Sequence, residues 1–299
     1  MIYYLILTII YKRGDMMIID AHTHTFPEKI AKKTIDFLQD KAQSVAYTEG
    51  TDNALKRSMQ NAGIDVSVIL PVSTNVGQVE KLNDIAINKN EVWRETGLFS
   101  LGCMHPDYEN FAAELKRLKS NGITGIKLHP AYQNTDIDDI KFLRIIDVAC
   151  AEGLAVVIHA GLDIGIMHHN FASVNQIENV IKEIAPEKFV LAHMGGWKGW
   201  NEVEKELCGE NVYFDTSFSL GEYEPPENVF VPEEKRKMLT KEQFKKIVEK
   251  HGYNKILFGS DSPWSEQKST IEKIKNCGLD EEKLDLIFGL NAQKLFGIA

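Results

Sequence analysis

The chain is predicted to fold as an α/β protein, a (β/α)8 barrel, and three observations lead there. Beyond residue 16, short β-branched runs alternate with longer amphipathic stretches. The runs number eight within one chain of ordinary domain size. No Gly-x-Gly-x-x-Gly follows the first of them, which disfavours the nearest alternative, an open doubly wound sheet.

The predicted strands, in order, are 17–24, 66–73 ("VSVILPVS"), 98–106 ("LFSLGCMHP"), 125–130 ("GIKLHP"), 155–161 ("AVVIHAG"), 188–196 ("KFVLAHMGG"), 212–219 ("VYFDTSFS") and 256–264 ("ILFGSDSPW"). Between them, stretches such as "NFAAELKRLKSNG", "IDDIKFLRIIDVACAEG" and "TKEQFKKIVEKHG" carry apolar residues at three- and four-residue spacing and stop at a glycine, as helices do. His251, just ahead of that last glycine, reads as a helix C-terminal residue favoured by the dipole. The segment 220–238 holds three of the nine prolines and reads as a lid over the mouth after the seventh strand.

The first ten residues, "MIYYLILTII", are apolar but span about half the length a membrane helix needs. They also lack a basic flank or a small-residue cleavage site. Residues 1–15 are therefore read as an extension, possible product of an upstream start, and 16–299 as one domain with no linker inside it.

Composition, at 43% apolar and 26% charged, is that of a globular domain. A net charge of −9 argues against a nucleic-acid backbone as partner, and no membrane partner is expected. The expected partner is a small-molecule substrate, with a homodimer left open. Four scattered cysteines without a Cys-x-x-Cys pair point to a reducing compartment, hence the cytoplasm.

Chemistry concentrates at the strand ends. Successive strand side chains alternate between faces, so Asp20, His22 and His24 are expected on one face, with the two imidazoles converging as metal ligands do. Lys127 and His129 end the fourth strand, with Ile126 and Leu128 turned outward against helices. His159 ends the fifth, His193 the sixth and Asp261 the eighth. In a barrel these ends form one rim, so residues distant in sequence meet. His129 and His105 each precede a proline, and either turn structure or a chemical role fits them. Trp197, Trp200 and Trp264 follow strands and could line the pocket or pack beneath it. The glycines of "HMGG" are expected to let substrate approach His193 closely.

The pieces "DAHTHTF", "GIKLHP", "VVIHAG", "LAHMGG", "LFGSDSPW" and "LNAQKLFGI", in this order from about residue 17 to the end, resemble the amidohydrolase superfamily. The closest branch is the amidohydrolase-related one (amidohydrolase 2), whose TIM barrels include metal-dependent hydrolases and enzymes like aminocarboxymuconate semialdehyde decarboxylase. The resemblance implies that His22, His24, His159 and Asp261 ligate one divalent ion, zinc in the first instance, which lowers the pKa of water to about 7. It further implies that Asp261 doubles as proton acceptor and that His193 is catalytic, or a ligand if two ions bind. In that two-ion case Lys127 would be carboxylated and bridge the pair. The function so implied is hydrolysis of an amide, lactone or ester by metal-activated water. Alternatives are a nonoxidative decarboxylase using the same site and a TatD-like deoxyribonuclease. The latter is disfavoured by charge and by "GIKLHP" where "GEIGLD" is expected. A noncatalytic binding barrel is disfavoured by the full set of ligands.

Overall fold

A computed structural model describes residues 17–299, and the extension expected at 1–15 lies outside the described residues. All eight predicted strand regions contain strand, and all pairing between them is parallel. The strands are β1 (Ile19–Thr23), β2 (Val66–Ile69), β3 (Leu98–Ser100), β4 (Gly102–Cys103), β5 (Gly125–Leu128), β6 (Ala155–Ile158), β7 (Phe189–Leu191), β8 (Tyr213–Asp215) and β9 (Ile256–Leu257). β3 and β4 are halves of one barrel strand broken at Leu101: the first half pairs with β2, the second with β5.

Strand order follows the sequence, β1-β2-β3 and then β4 through β9. The ring closes where β1 meets the segment after β9. Ala21 N–H donates to Phe258 O (2.7 Å), Asp261 N–H to His22 O (2.9 Å) and His24 N–H to Ser262 O (2.7 Å).

Two apolar layers follow from strand alternation. Ile126, Leu128, Val156, Ile158, Phe189, Leu191 and Phe214 point outward into one cluster with the helices, against Leu115, Phe142, Ile177, Phe244 and Ile271. Ala21, Val68, Leu101, Val157, Val190 and Leu257 form a second cluster inside the barrel, closed by Leu295 and Phe296 of the last helix. Burying each of the Val, Leu, Ile and Phe side chains contributes about 1.5–3 kcal/mol.

The helices begin and end as their sequences direct. Ser173 and Thr240 each form a capping box with Gln176 and Gln243, satisfying amides that have no partner within the helix. Gly122, Gly153 and Gly252, just beyond the helices that end at Ser120, Ala151 and His251, take positive φ.

The 220–238 segment is tied at its base by bridges Leu220 to Leu239 and Glu222 to Lys237. Tyr223, Val231 and Met238 pack from it onto Trp197 and Phe218. Among the described residues no helix is long and apolar enough to cross a membrane.

Candidate metal centre

The rim expected from sequence forms at the carboxyl ends of the strands. His22 lies in β1 with His24 just past it, Lys127 lies in β5, and His159, His193 and Asp261 follow β6, β7 and β9. His22 and Lys127 are each 1% exposed, so whatever these groups bind is bound away from bulk water. His193, Met194 and Asp261 adopt left-handed backbone (φ 60°, 54° and 66°). Such strain costs on the order of 1–3 kcal/mol per residue and persists where the surroundings impose it.

The carrying observation is which nitrogen of each imidazole faces inward. His24 Nδ1–H donates to the Leu70 carbonyl (2.9 Å), His159 Nε2–H to the Leu162 carbonyl (3.1 Å) and His193 Nδ1–H to the Ser217 carbonyl (3.0 Å). A carbonyl can only accept, so each of these rings carries its proton on the outer nitrogen. His22 Nδ1 lies 2.8 Å from the Asp215 carboxylate, with the same consequence.

In the neutral rings the inner nitrogens are then lone pairs. His22 Nε2 and His24 Nε2 are 3.2 Å apart, and Asp261 Oδ1 lies 3.5 and 3.2 Å from them. His159 Nδ1 and His193 Nε2 face each other at 3.0 Å. Acceptors facing acceptors repel unless a cation lies among them, so the donor chemistry fits a divalent metal.

Protonation states agree. Burial pushes His22 well below the ordinary imidazole value and His193 down to about 3, so both are neutral. Burial acts to raise the Asp261 carboxyl; its lowering to about 2 by His24 and the neighbouring imidazoles requires positive charge beside it, which a bound cation would supply where these rings are neutral. Burial lowers Lys127 to about 8, against the pull of Asp215 and Asp261, and its amine sits 3.4 Å from His22 Nε2. Lys127 is thus inward, with Ile126 and Leu128 outward, as alternation requires.

A second group, His129, His159 and Asp163, also gathers ligand-type atoms within 4.8 Å. Here the protons point the other way. His129 Nδ1 accepts the Tyr132 amide (3.3 Å), leaving its proton on Nε2, which faces Asp163 Oδ2 at 3.6 Å. The proton on His159 Nε2 lies on that side too, 3.9 Å from the same oxygen. This group is a carboxylate beside two N–H donors and not a cradle for a cation. His129 is held between Tyr132 and His159, stacked at 4.1 and 4.4 Å.

Several sequence expectations change. Asp20 does not join His22 and His24. The β1 register shifts between Asp20 and Thr23, and the Asp20 carboxylate accepts from Ser260 and Gln267 beside Ser67. The glycines after His193 serve packing. A Cβ at Gly195 would meet Val203 at 2.8 Å and Phe214 at 2.9 Å, and one at Gly196 would meet Val203 at 3.1 Å. Trp197 is buried under the 220–238 segment, and Trp200 Nε1–H donates to the His193 carbonyl (2.9 Å), so both brace the rim. His105 Nδ1 accepts the Asp107 amide, a turn contact. His251 ends its helix as expected but is buried and stacked on Phe214 at 3.8 Å, with burial lowering it to about 4, so it is no dipole-paired cation.

Sequence reasoning passed over Asp215 and Ser217, although an acid closing the seventh run is the same signal that marked the other strand ends. It also passed over Asp163, which follows the fifth strand in a loop.

Comparison with known proteins identifies the family and the fold. The amidohydrolase family model (Amidohydro_2) matches residues 19–298, nearly the whole described chain. No curated protein sequence matches the chain. Among solved structures, 5-carboxyvanillate decarboxylase from Sphingomonas paucimobilis is 14% identical, with 95% of this chain and 100% of that one covered and a TM-score of 0.65. A dihydroxybenzoic acid decarboxylase from a Polaromonas species, with bound manganese, is 15% identical over 94% and 97%, TM-score 0.67. A probable 2-pyrone-4,6-dicarboxylic acid hydrolase from Acinetobacter baumannii is 17% identical over 95% and 100%, TM-score 0.62. At such identities the structures speak for the fold alone, which is the TIM barrel. The chain belongs to the amidohydrolase family and is an enzyme of that superfamily.

Proposed function

We propose that the chain is a hydrolase of a small-molecule amide, lactone or ester, with a divalent ion held by His22, His24, His159 and Asp261. The observation that carries this reading is the convergence of imidazole lone pairs on the Asp261 carboxylate. Nitrogen-rich donors with one carboxylate suit zinc best. Bound there, the ion supplies Lewis acidity and makes water acidic enough to be deprotonated near neutral pH.

The residues do the remaining work. Asp261, ionised and lodged against His24, accepts the proton of the attacking water and hands it to the leaving group. His193, neutral with its lone pair inward, accepts a proton or binds a cation; in this tautomer it has no N–H to offer a developing oxyanion. The buried rim keeps bulk water from competing.

A two-ion variant of the same reading is favoured by one observation. His159 Nδ1 pairs with His193 Nε2, whereas the tightest cluster is His22, His24 and Asp261. Lys127, lowered by burial to about 8, loses its proton more readily than an ordinary lysine, and its neutral amine would add carbon dioxide and release a proton to give a carbamate able to serve as a further ligand.

Metal analysis of the purified chain and product analysis in ¹⁸O-water test the proposal. Expected are bound zinc, ¹⁸O in the acid product of a cleaved ester, lactone or amide, and sharp loss of metal in His159→Ala. Undiminished metal in that variant sinks the donor assignment. Release of carbon dioxide from a carboxylated substrate, with no hydrolytic activity on the panel, makes the enzyme a decarboxylase instead.

A further inference from the structure

We infer that Asp215 is the positioning residue that makes His22 a metal ligand, by fixing which of its nitrogens carries the proton. The inference rests on the metal reading above but concerns a residue outside the donor set.

Asp215 ends β8 and is 1% exposed, and each of its two oxygens has a distinct task. Oδ1 accepts two backbone amides, His193 N–H at 3.0 Å and Ser217 N–H at 3.1 Å, and the Ser217 hydroxyl at 2.5 Å. Oδ2 faces His22 Nδ1 at 2.8 Å. Because the Ser217 hydroxyl spends its proton on Oδ1, its oxygen can only accept from His22 Nδ1, 3.0 Å away. Two acceptors therefore hold the His22 proton on Nδ1, and Nε2 is left bare toward His24 and Asp261. One carboxylate thereby sets the ring of a ligand on the first barrel strand and the backbone of His193 after the sixth.

The arrangement makes an isosteric substitution worse than a truncation. In Asp215→Asn, the amide orientation is dictated by the two backbone N–H groups, which require the side-chain oxygen at the Oδ1 place. The NH₂ group must then occupy the Oδ2 place and point at His22 Nδ1. A donor there forces the His22 proton onto Nε2, where the metal should bind. In Asp215→Ala no fixed donor is introduced: the Ser217 hydroxyl, freed of Oδ1, can accept from Nδ1–H as well as donate to it, so the Nδ1–H tautomer is weakened but not forbidden. A merely structural Asp215 predicts the reverse order, since Asn fills the buried space and Ala leaves a hole.

The experiment is a competitive-chelator titration with Zn²⁺ alone, on the full chain, for wild type and both variants, beside thermal melts of the metal-free proteins. Expected is a zinc affinity about 10–100-fold below wild type in Asp215→Asn, the range for lost partners of ligating histidines, with a smaller loss in Asp215→Ala. The metal-free melts should rank oppositely, Asn above Ala. Affinity within threefold of wild type in Asp215→Asn, or a weaker Ala than Asn, overturns the inference. Should neither variant fold, long-range ¹H–¹⁵N NMR of the metal-free wild type decides: a His22 ring protonated at Nδ1 upholds it and one protonated only at Nε2 overturns it. A wild type that binds no zinc, manganese or other divalent ion overturns the metal reading itself, an outcome distinct from equal affinities.

Discussion

Gly161 offers the sharpest test of how the rim is assembled. It follows His159 by two residues, takes φ 84°, and bridges to Trp197 in the loop that follows His193. A Cβ at this position would lie 2.3 Å from Trp197 N and 2.6 Å from both Gly196 C and Trp197 O. These are backbone atoms, so no side chain can swing aside. Restoring ordinary contact at 3.4 Å needs the two loops to part by about 1 Å.

Parting them breaks the two hydrogen bonds that lace the loops, Trp197 N–H to Ala160 O (2.9 Å) and Leu162 N–H to Trp197 O (3.2 Å). At about 1 kcal/mol for each bond and 1–2 kcal/mol for alanine in left-handed backbone, Gly161→Ala should cost roughly 3–4 kcal/mol. For a chain of this size that lowers Tm by roughly 5–6 °C. The same displacement separates His159 Nδ1 from His193 Nε2, now 3.0 Å apart, and an error of about 1 Å in positioning costs on the order of 100-fold in turnover. Differential scanning calorimetry with metal analysis reads both effects. A Gly161→Ala protein with the wild-type Tm and full metal content would falsify the argument that close backbone approach sets this pair.

Two further outcomes are expected. Replacing His193 by Ala should lower turnover by about two to four orders of magnitude, the scale for a positioned proton acceptor, and in the two-ion arrangement should also drop one ion of two; full activity with unchanged metal rejects both roles. His251, held by burial at about 4 against 6.5 in the unfolded chain, is neutral when folded, so the unfolded state takes up the proton first as pH falls. Stability from this group is therefore complete above pH 6.5 and is lost between 6.5 and 4, on the order of 3 kcal/mol in all. Urea unfolding of wild type and His251→Gln across that window should converge toward acid, and a parallel pair of curves counts against a neutral His251.

Local pattern carried much of this protein. Eight β-branched runs marked eight strand regions, because parallel strands buried on both faces read as short, nearly continuous apolar segments that need no partner to be seen. The same locality made His22, His24, Lys127, His159, His193 and Asp261 stand out at strand ends, where the barrel brings them to one rim. What the tertiary structure alone decided is how those groups face one another. The Asp215 contact with His22 spans 193 positions, and no local period encodes it. Asp20 left the histidine face because ring closure shifts the β1 register, a constraint set by β2 and the segment after β9. His251 became a neutral core group because Phe214 and the Val212 carbonyl enclose it, whereas its sequence neighbours advertised only a helix end. Composition and period determine which residues reach the rim; protonation, tautomer and close approach depend on distances that exist only once the ring has closed.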